Sequence, residues 1–278
     1  MNIKHINVTI ITFFTFFIFP ALCIGQMNVS DPISSSTAFS RGNSIGPDNP
    51  HFLLNKGEKA IYLSYTSHLL SKELKGVKSD ILLSNRLLDA KFSISGYGYK
   101  HYKQLEIATS LAKKISEQLS IGIIVKFRYF DYLGLDKSKN QILPGVSLAY
   151  QHSKKYFISH ITWLNPFSIA SKKISSNTTE NSYLSIGTHI LTSRQTKTIL
   201  EIEWIDQKRI EGRWGFLYHY KDFEIRCGIH LPTFHPCFGL GFRKKSFLLD
   251  LSGNYLHPLG VNLNLGIGYQ LNTPSKES

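Results

Sequence analysis

Between residues 60 and 271 the chain repeats one pattern: segments about 8 to 12 residues long, alternately apolar and polar, each bounded by turn-forming residues. The clearest is 119–129. There Leu119, Ile121, Ile123, Val125, Phe127 and Tyr129 fall on one face of an extended chain, and Ser120, Gly122, Lys126 and Arg128 on the other. A helix would mix the two sets. The last segment repeats the pattern, with Val261, Leu263, Leu265, Ile267, Tyr269 and Leu271 against Asn262, Asn264, Gly266, Gly268 and Gln270. Asparagine and glycine at alternate positions are poor helix material. Phe247, Leu249, Leu251 and Tyr255 alternate with Asp250, Ser252 and Asn254, and Trp214, Phe216, Tyr218 and Tyr220 with Gly215 and His219. Residues 78–85 do not choose between the two periods.

Counted along the chain, the pattern predicts about fourteen strands: 60–67, 77–85, 90–99, 103–113, 119–130, 141–151, 155–164, 182–191, 197–206, 211–220, 222–230, 235–243, 246–256 and 260–271. No segment of useful length has the helical period, so nothing is predicted to cover the apolar faces as a soluble sandwich would require. The predicted fold class is therefore all-β, a transmembrane antiparallel barrel with a short N-terminal arm in its lumen. Closure pairs every backbone N–H and C=O between strands and leaves no edge in hydrocarbon. Membrane barrels alternate short turns with longer loops. Tight links are expected around Arg86, Ser116, Ser153, Arg194, Lys221 and Lys244, and longer ones around Lys72, Gly134, Asn177, Lys208 and Thr233. Links at Tyr102 and Pro258 are short where the rule wants long.

The N-terminus reads as a secretory signal over residues 1–25: Lys4 and His5, an apolar run over 8–19, then small residues to Gly25. That run is about a dozen residues, short of the roughly 20 that a spanning helix needs. Cys23 follows Leu22 rather than a small residue, so lipid attachment is not expected. Residues 26–59 keep neither period and form the arm or hatch, 60–271 the barrel and 272–278 a polar tail.

A formal net charge of +13 would ordinarily point to nucleic acid. No basic cluster interleaved with aromatics forms a nucleic-acid motif, and the expected leader sends the chain out of the cytoplasm. Outer-membrane lipid and lipopolysaccharide phosphate are the expected partners instead: Lys and Arg recur at both rims, as in Lys113-Lys114, Lys154-Lys155, Lys172-Lys173 and Lys244-Lys245, most of them expected to be solvated and the outer-rim members to meet lipopolysaccharide. An aromatic share of 13% fits interfacial girdles, with Tyr129, Trp163, Trp204, Trp214 and Tyr255 as candidates. Parity puts Cys227 and Cys237 on opposite faces, which argues against a disulfide between them.

Several residues carry a resemblance: the arm elements Ser40-Arg41-Gly42-Asn43-Ser44-Ile45-Gly46 and Asp48-Asn49-Pro50-His51-Phe52-Leu53-Leu54-Asn55, the strand 61–65, the hairpin 113–122, and Asn165-Pro166. On these the chain resembles the superfamily of FadL-type long-chain fatty-acid transporters and of type IX secretion barrels of Bacteroidetes, with the shuttle (PorV/PorQ-like) barrels nearest. In that family an Asn-Pro-Ala-Gly-like element precedes the first strand, whereas Asn55 is followed here by Lys56 and Asn49-Pro50 lies earlier. The resemblance implies hatch residues at Arg41, Gly42, Gly46, Asn49, Pro50 and Asn55.

Nothing in the chain spells out catalysis. No Gly-x-Ser-x-Gly elbow, His-Glu-x-x-His helix or phosphate-cradling loop occurs. His101, His152, His160, His189, His219, His230, His235 and His257 are read as scattered singly, so neither a metal site nor any cofactor is expected. Charged residues on the inward parity are the lumen-lining candidates: Lys126, Arg128, Glu201 or Glu203, Glu224, Arg226, Arg243 and Asp250. They either line a conduit or pair across the lumen and fill it. Two functions follow from the resemblance: passage of hydrophobic or small solutes, or a non-transporting barrel that docks or shuttles secretion-system proteins.

Overall fold

The computed structural model describes residues 59–70, 74–84, 88–99, 102–132, 137–152, 156–166, 182–206, 209–256 and 260–271. The arm, the expected leader and the tail lie outside these residues, as do the six hatch candidates Arg41, Gly42, Gly46, Asn49, Pro50 and Asn55.

The strands follow the alternation. They are β1 (Ala60–Ser67), β2 (Lys75–Ser84), β3 (Asp89–Tyr99), β4 (Tyr102–Lys114), β5 (Leu119–Tyr132), β6 (Lys137–Gln151) and β7 (Phe157–Leu164). The second half holds β8 (Tyr183–Leu191), β9 (Thr196–Ile205), β10 (Arg209–Tyr220), β11 (Phe223–Leu231), β12 (His235–Lys244), β13 (Phe247–Leu256) and β14 (Gly260–Gln270). Each strand pairs antiparallel with its sequence neighbours, and β14 returns to β1 from Ala60↔Gln270 to Ser67↔Leu263, closing the ring. The chain thus forms a closed antiparallel barrel of fourteen strands.

Because side chains alternate along every strand, closure sorts them into an inside and an outside. On β5, Ile121, Ile123 and Val125 face out and are exposed, Ile123 to 55%, while Ser120, Gly122, Ile124, Lys126 and Arg128 face in and are buried. On β14, Leu265, Ile267 and Tyr269 face out, and Asn262, Asn264, Gly266, Gly268 and Gln270 face in. An outer surface carrying a belt of exposed Ile, Leu, Val and Phe from strand to strand needs apolar surroundings. Trp163, Trp204, Trp214 and Tyr255 are exposed on that same outer face. Cys227 is outward and Cys237 inward, both as free thiols.

The strand limits differ from expectation mainly at the ends: β5 runs on to Tyr132 and β6 begins at Lys137. The expected alternation of link lengths is corrected. Call the end holding Ala60 and Gln270 the near end. The far-end links 206–208 and 232–234, expected to be long, are as tight as the near-end turns, and only 68–74 and 165–182 are clearly longer. Residues 206 and 234 take positive φ (48° and 51°), the left-handed conformation that lets a chain reverse in few residues. Tyr102, expected in a link, opens β4 and pairs with Tyr99.

Candidate functional site: the inner wall of the barrel

The inner wall has two sectors of opposite chemistry. The ionic sector runs over β9 to β13. Glu201 and Glu203 on β9 both point inward, opposite Arg213 and Glu211 of β10. The Arg213 guanidinium bonds Glu203 and reaches Glu201 and Glu211 at 3.4 Å each. On β11, Arg226 is 1% exposed, donates to Asp250 Oδ1 of β13 at 2.5 Å, and lies 3.4 Å from Glu224. Tyr62 of β1 donates to the other Asp250 oxygen at 2.8 Å. Between Glu224 and Asp250 stands Gly241, where an added Cβ would meet Asp250 Oδ1 at 2.9 Å and Arg226 Nη2 at 3.3 Å, so the absent side chain leaves room for the pair. A smaller ionic group continues on β2 to β5: Asp80 accepts from Ser93 Oγ at 2.6 Å beside Lys78 and Lys91, and Arg128 pairs with Glu106 at 2.5 Å.

The lumen-lining candidates therefore all lie on the inner face: Lys126, Arg128, Glu224, Arg226 and Asp250 are buried and Arg243 is half-exposed, its Nη2 3.9 Å from Glu224. The ion pairs described run along the wall, within one strand or between strands that are neighbours or have one strand between them. Buried charges need partners, and neighbours in register supply them without spanning the barrel.

The second sector is apolar and was missed in the sequence reading. Ile124 of β5, Leu143 of β6, Leu164 of β7, Tyr183 of β8 and Ile205 of β9 point inward and pack as one cluster. Register explains it: Gly145 faces Leu164, Leu164 faces Tyr183 and Tyr183 faces Ile205, one row across four strands. Leu143 lies opposite Lys126, so an inward cation marks the border of the cluster.

At the far end the inner rim is aromatic. Tyr102 contacts Tyr97 and Tyr132 with ring centroids 6.1 and 5.4 Å apart, and Tyr97 meets His68 edge-on at 5.1 Å. His68 opens the 3-10 turn His68–Leu70 that follows β1, where Leu69 N–H donates to Asn262 Oδ1 at 2.8 Å. Burial pushes the His68 imidazole down from its ordinary 6.5 to about 4, against a raising hydrogen bond with Asn262.

The histidines are not all single, which corrects the expectation. His160 of β7 and His189 of β8 are buried with ring centroids 5.6 Å apart, and His160 lies over Gly187, where a Cβ would come within 2.5 Å of its Cε1. His230 and His235 are register partners across the 232–234 link and stack with centroids 6.0 Å apart. Thr233 Oγ1 lies 3.1 Å from Nδ1 of each, and His230 Nε2 lies 3.0 Å from Glu211. Among the described residues no three His, Cys, Asp or Glu side chains converge as metal ligands.

A closed fourteen-strand antiparallel barrel with an apolar outer face is the architecture of outer-membrane barrels. No protein-family profile matches the chain. No curated protein matches it either. Solved structures do. The toluene transporter TbuX of Ralstonia pickettii superposes with a TM-score of 0.64 at 11% identity, over 87% of this chain and 98% of that one. The toluene transporter TodX of Pseudomonas putida gives 0.63 at 9% identity, over 89% and 99%. A FadL homologue of Pseudomonas aeruginosa gives 0.62 at 8% identity, over 89% and 100%. The chain is similar in fold to the FadL-type barrels.

Proposed function

We propose that the protein is an outer-membrane barrel that passes hydrophobic or small solutes in the manner of FadL-type channels. The observation that carries this reading is the inward apolar cluster Ile124–Leu143–Leu164–Tyr183–Ile205. A wall that only had to fill a lumen could carry paired charges all round, whereas an apolar sector beside the ionic one offers a hydrophobic molecule a surface inside the barrel. The tyrosine rim at the far end supports the same reading, since flat rings present apolar faces to an arriving hydrocarbon. The fold likeness to transporters of toluene agrees with it. In this reading residues 1–25 direct export, residues 26–59 supply the hatch, both barrel ends Ala60 and Gln270 face the periplasm, and the far-end lysines meet lipopolysaccharide.

The test is uptake of a labelled monoaromatic hydrocarbon by cells that lack their own channel and carry this barrel. Faster equilibration is expected, lost on Leu143→Lys, with heat-modifiable gel migration showing that the variant still forms a barrel. Uptake no faster than in empty cells sinks the reading.

A second reading has support of its own. The ion pairs that line β9 to β13 would also suit a barrel whose interior is a rigid filler, and such a barrel would act as a docking or shuttle component of type IX secretion, like the Bacteroidetes barrels the sequence resembles. Co-purification of secretion-system proteins together with unchanged hydrocarbon uptake would favour it.

A further inference from the structure

At the near end, bordering the ionic sector, the inward parity of β8 to β12 builds a recess of about 180 Å³. Leu191 and Leu217 flank Lys197 in one cross-strand row, so an apolar side chain stands on either side of the lysine. The sides of the recess are basic. Lys197 and Arg243 enter from β9 and β12, and Arg194 stands at the lip on a turn fixed by Ser193 Oγ, which accepts from the N–H groups of Gln195 at 3.1 Å and Thr196 at 3.0 Å. The lining holds one carboxylate, Glu224, which His219 meets at 2.8 Å and Arg226 shares at 3.4 Å from deeper in the wall. Three cationic side chains, Arg194, Lys197 and Arg243, therefore line the recess beside one carboxylate that also serves Arg226. Lys197 and Arg243 share the parity of buried Ile199 and Gly241, so they face the lumen and not the lipid.

We propose that this recess binds a small monocarboxylate with an apolar body, such as a single-ring aromatic acid. Guanidinium and ammonium groups recognise the carboxylate through charge-assisted hydrogen bonds. Leu191 and Leu217 take the ring, and the volume suits it, since a dry cavity of roughly 150 Å³ holds benzene. The site stands whether or not the barrel conducts hydrocarbon, because binding needs only the folded barrel.

The experiment follows fluorine NMR of 4-fluorobenzoate titrated into the refolded full chain in detergent, with 4-fluorotoluene and inorganic phosphate as controls. Saturable binding of the acid is expected, weakened about tenfold or more by Lys197→Gln and by Arg243→Gln, each substitution removing a charged hydrogen bond. Leu217→Gln should weaken the acid and leave any binding of phosphate unchanged. Heat-modifiable migration checks that each variant remains a barrel. Equal affinity in the lysine and arginine variants overturns the proposal, as does absence of saturable binding. Phosphate competing as well as the acid overturns the assigned ligand class.

Discussion

The two sectors of the inner wall are made from the same strand geometry and differ only in what sits on the inward parity. On β9 the divide falls within one strand: Ile205, at the far end, belongs to the apolar cluster, while Glu203 and Glu201, the next inward positions, belong to the ionic one. An ionic wall depends on partners in register, because each buried charge is stable only while its neighbour is present. An apolar wall depends on shape and volume, and it can exchange its contacts for those of a hydrophobic guest. The comparison teaches that one barrel can hold an ionic sector and an apolar sector without any change of topology.

The largest expected effect comes from breaking the ionic half. Asp250→Leu leaves Arg226 buried without its strongest partner and should cost about 3–5 kcal/mol in urea unfolding of the membrane-inserted barrel. Adding Arg226→Met should recover most of that loss, and a double variant as unstable as the single one would refute the pairing. On the apolar half, Leu143→Ala should cost about 2–3 kcal/mol by opening a cavity in the cluster, read in the same unfolding experiment. It should also change hydrocarbon uptake, which the Asp250 variant should not. Near their border, Gly187→Ala pushes a Cβ to within 2.5 Å of the His160 ring and should cost about 1–3 kcal/mol, with the His160 and His189 ring resonances shifted.

The smallest effect is local. His68 is held neutral in the closed far-end turn, with its pKa lowered to about 4, and takes up a proton near 6.5 once exposed. Between those values the open form binds more protons, so the turn's stability is full above about pH 6.5 and falls as the pH drops toward 4. Protection factors at residues 68–70, taken relative to the intrinsic exchange rate at each pH, should fall over that window, and His68→Asn should flatten the dependence.

The strands were legible because the outward face is apolar nearly everywhere, which makes period two visible in β5 or β14 without knowing any partner. β2 was obscure because inward Leu82 stands between outward Ile81 and Leu83, and three apolar residues in a row hide the alternation. The apolar sector left the same kind of mark, since Ile124 between Ile123 and Val125 is an inward apolar residue in plain sight. What no period could show was register across long connections. His160 meets His189 only because β7 and β8 pair Leu164 with Tyr183 on either side of the longest link. His230 and His235 could have been found, because only four residues separate them across one hairpin turn. The inward charges were readable from parity, while their partners, Arg226 with Asp250 two strands further on, required the fold.

The pairing of β1 with β14 also has a consequence for how the molecule comes into being. Every other hairpin joins segments adjacent in the chain and can form as soon as both are present, but Ala60 waits for Gln270. Until the last strand arrives, the nascent sheet has two raw edges whose N–H and C=O groups hydrocarbon will not solvate. The seam therefore acts as a completion check: a chain shortened by its final strand has no ring to close and is held back from the lipid that a complete one can occupy.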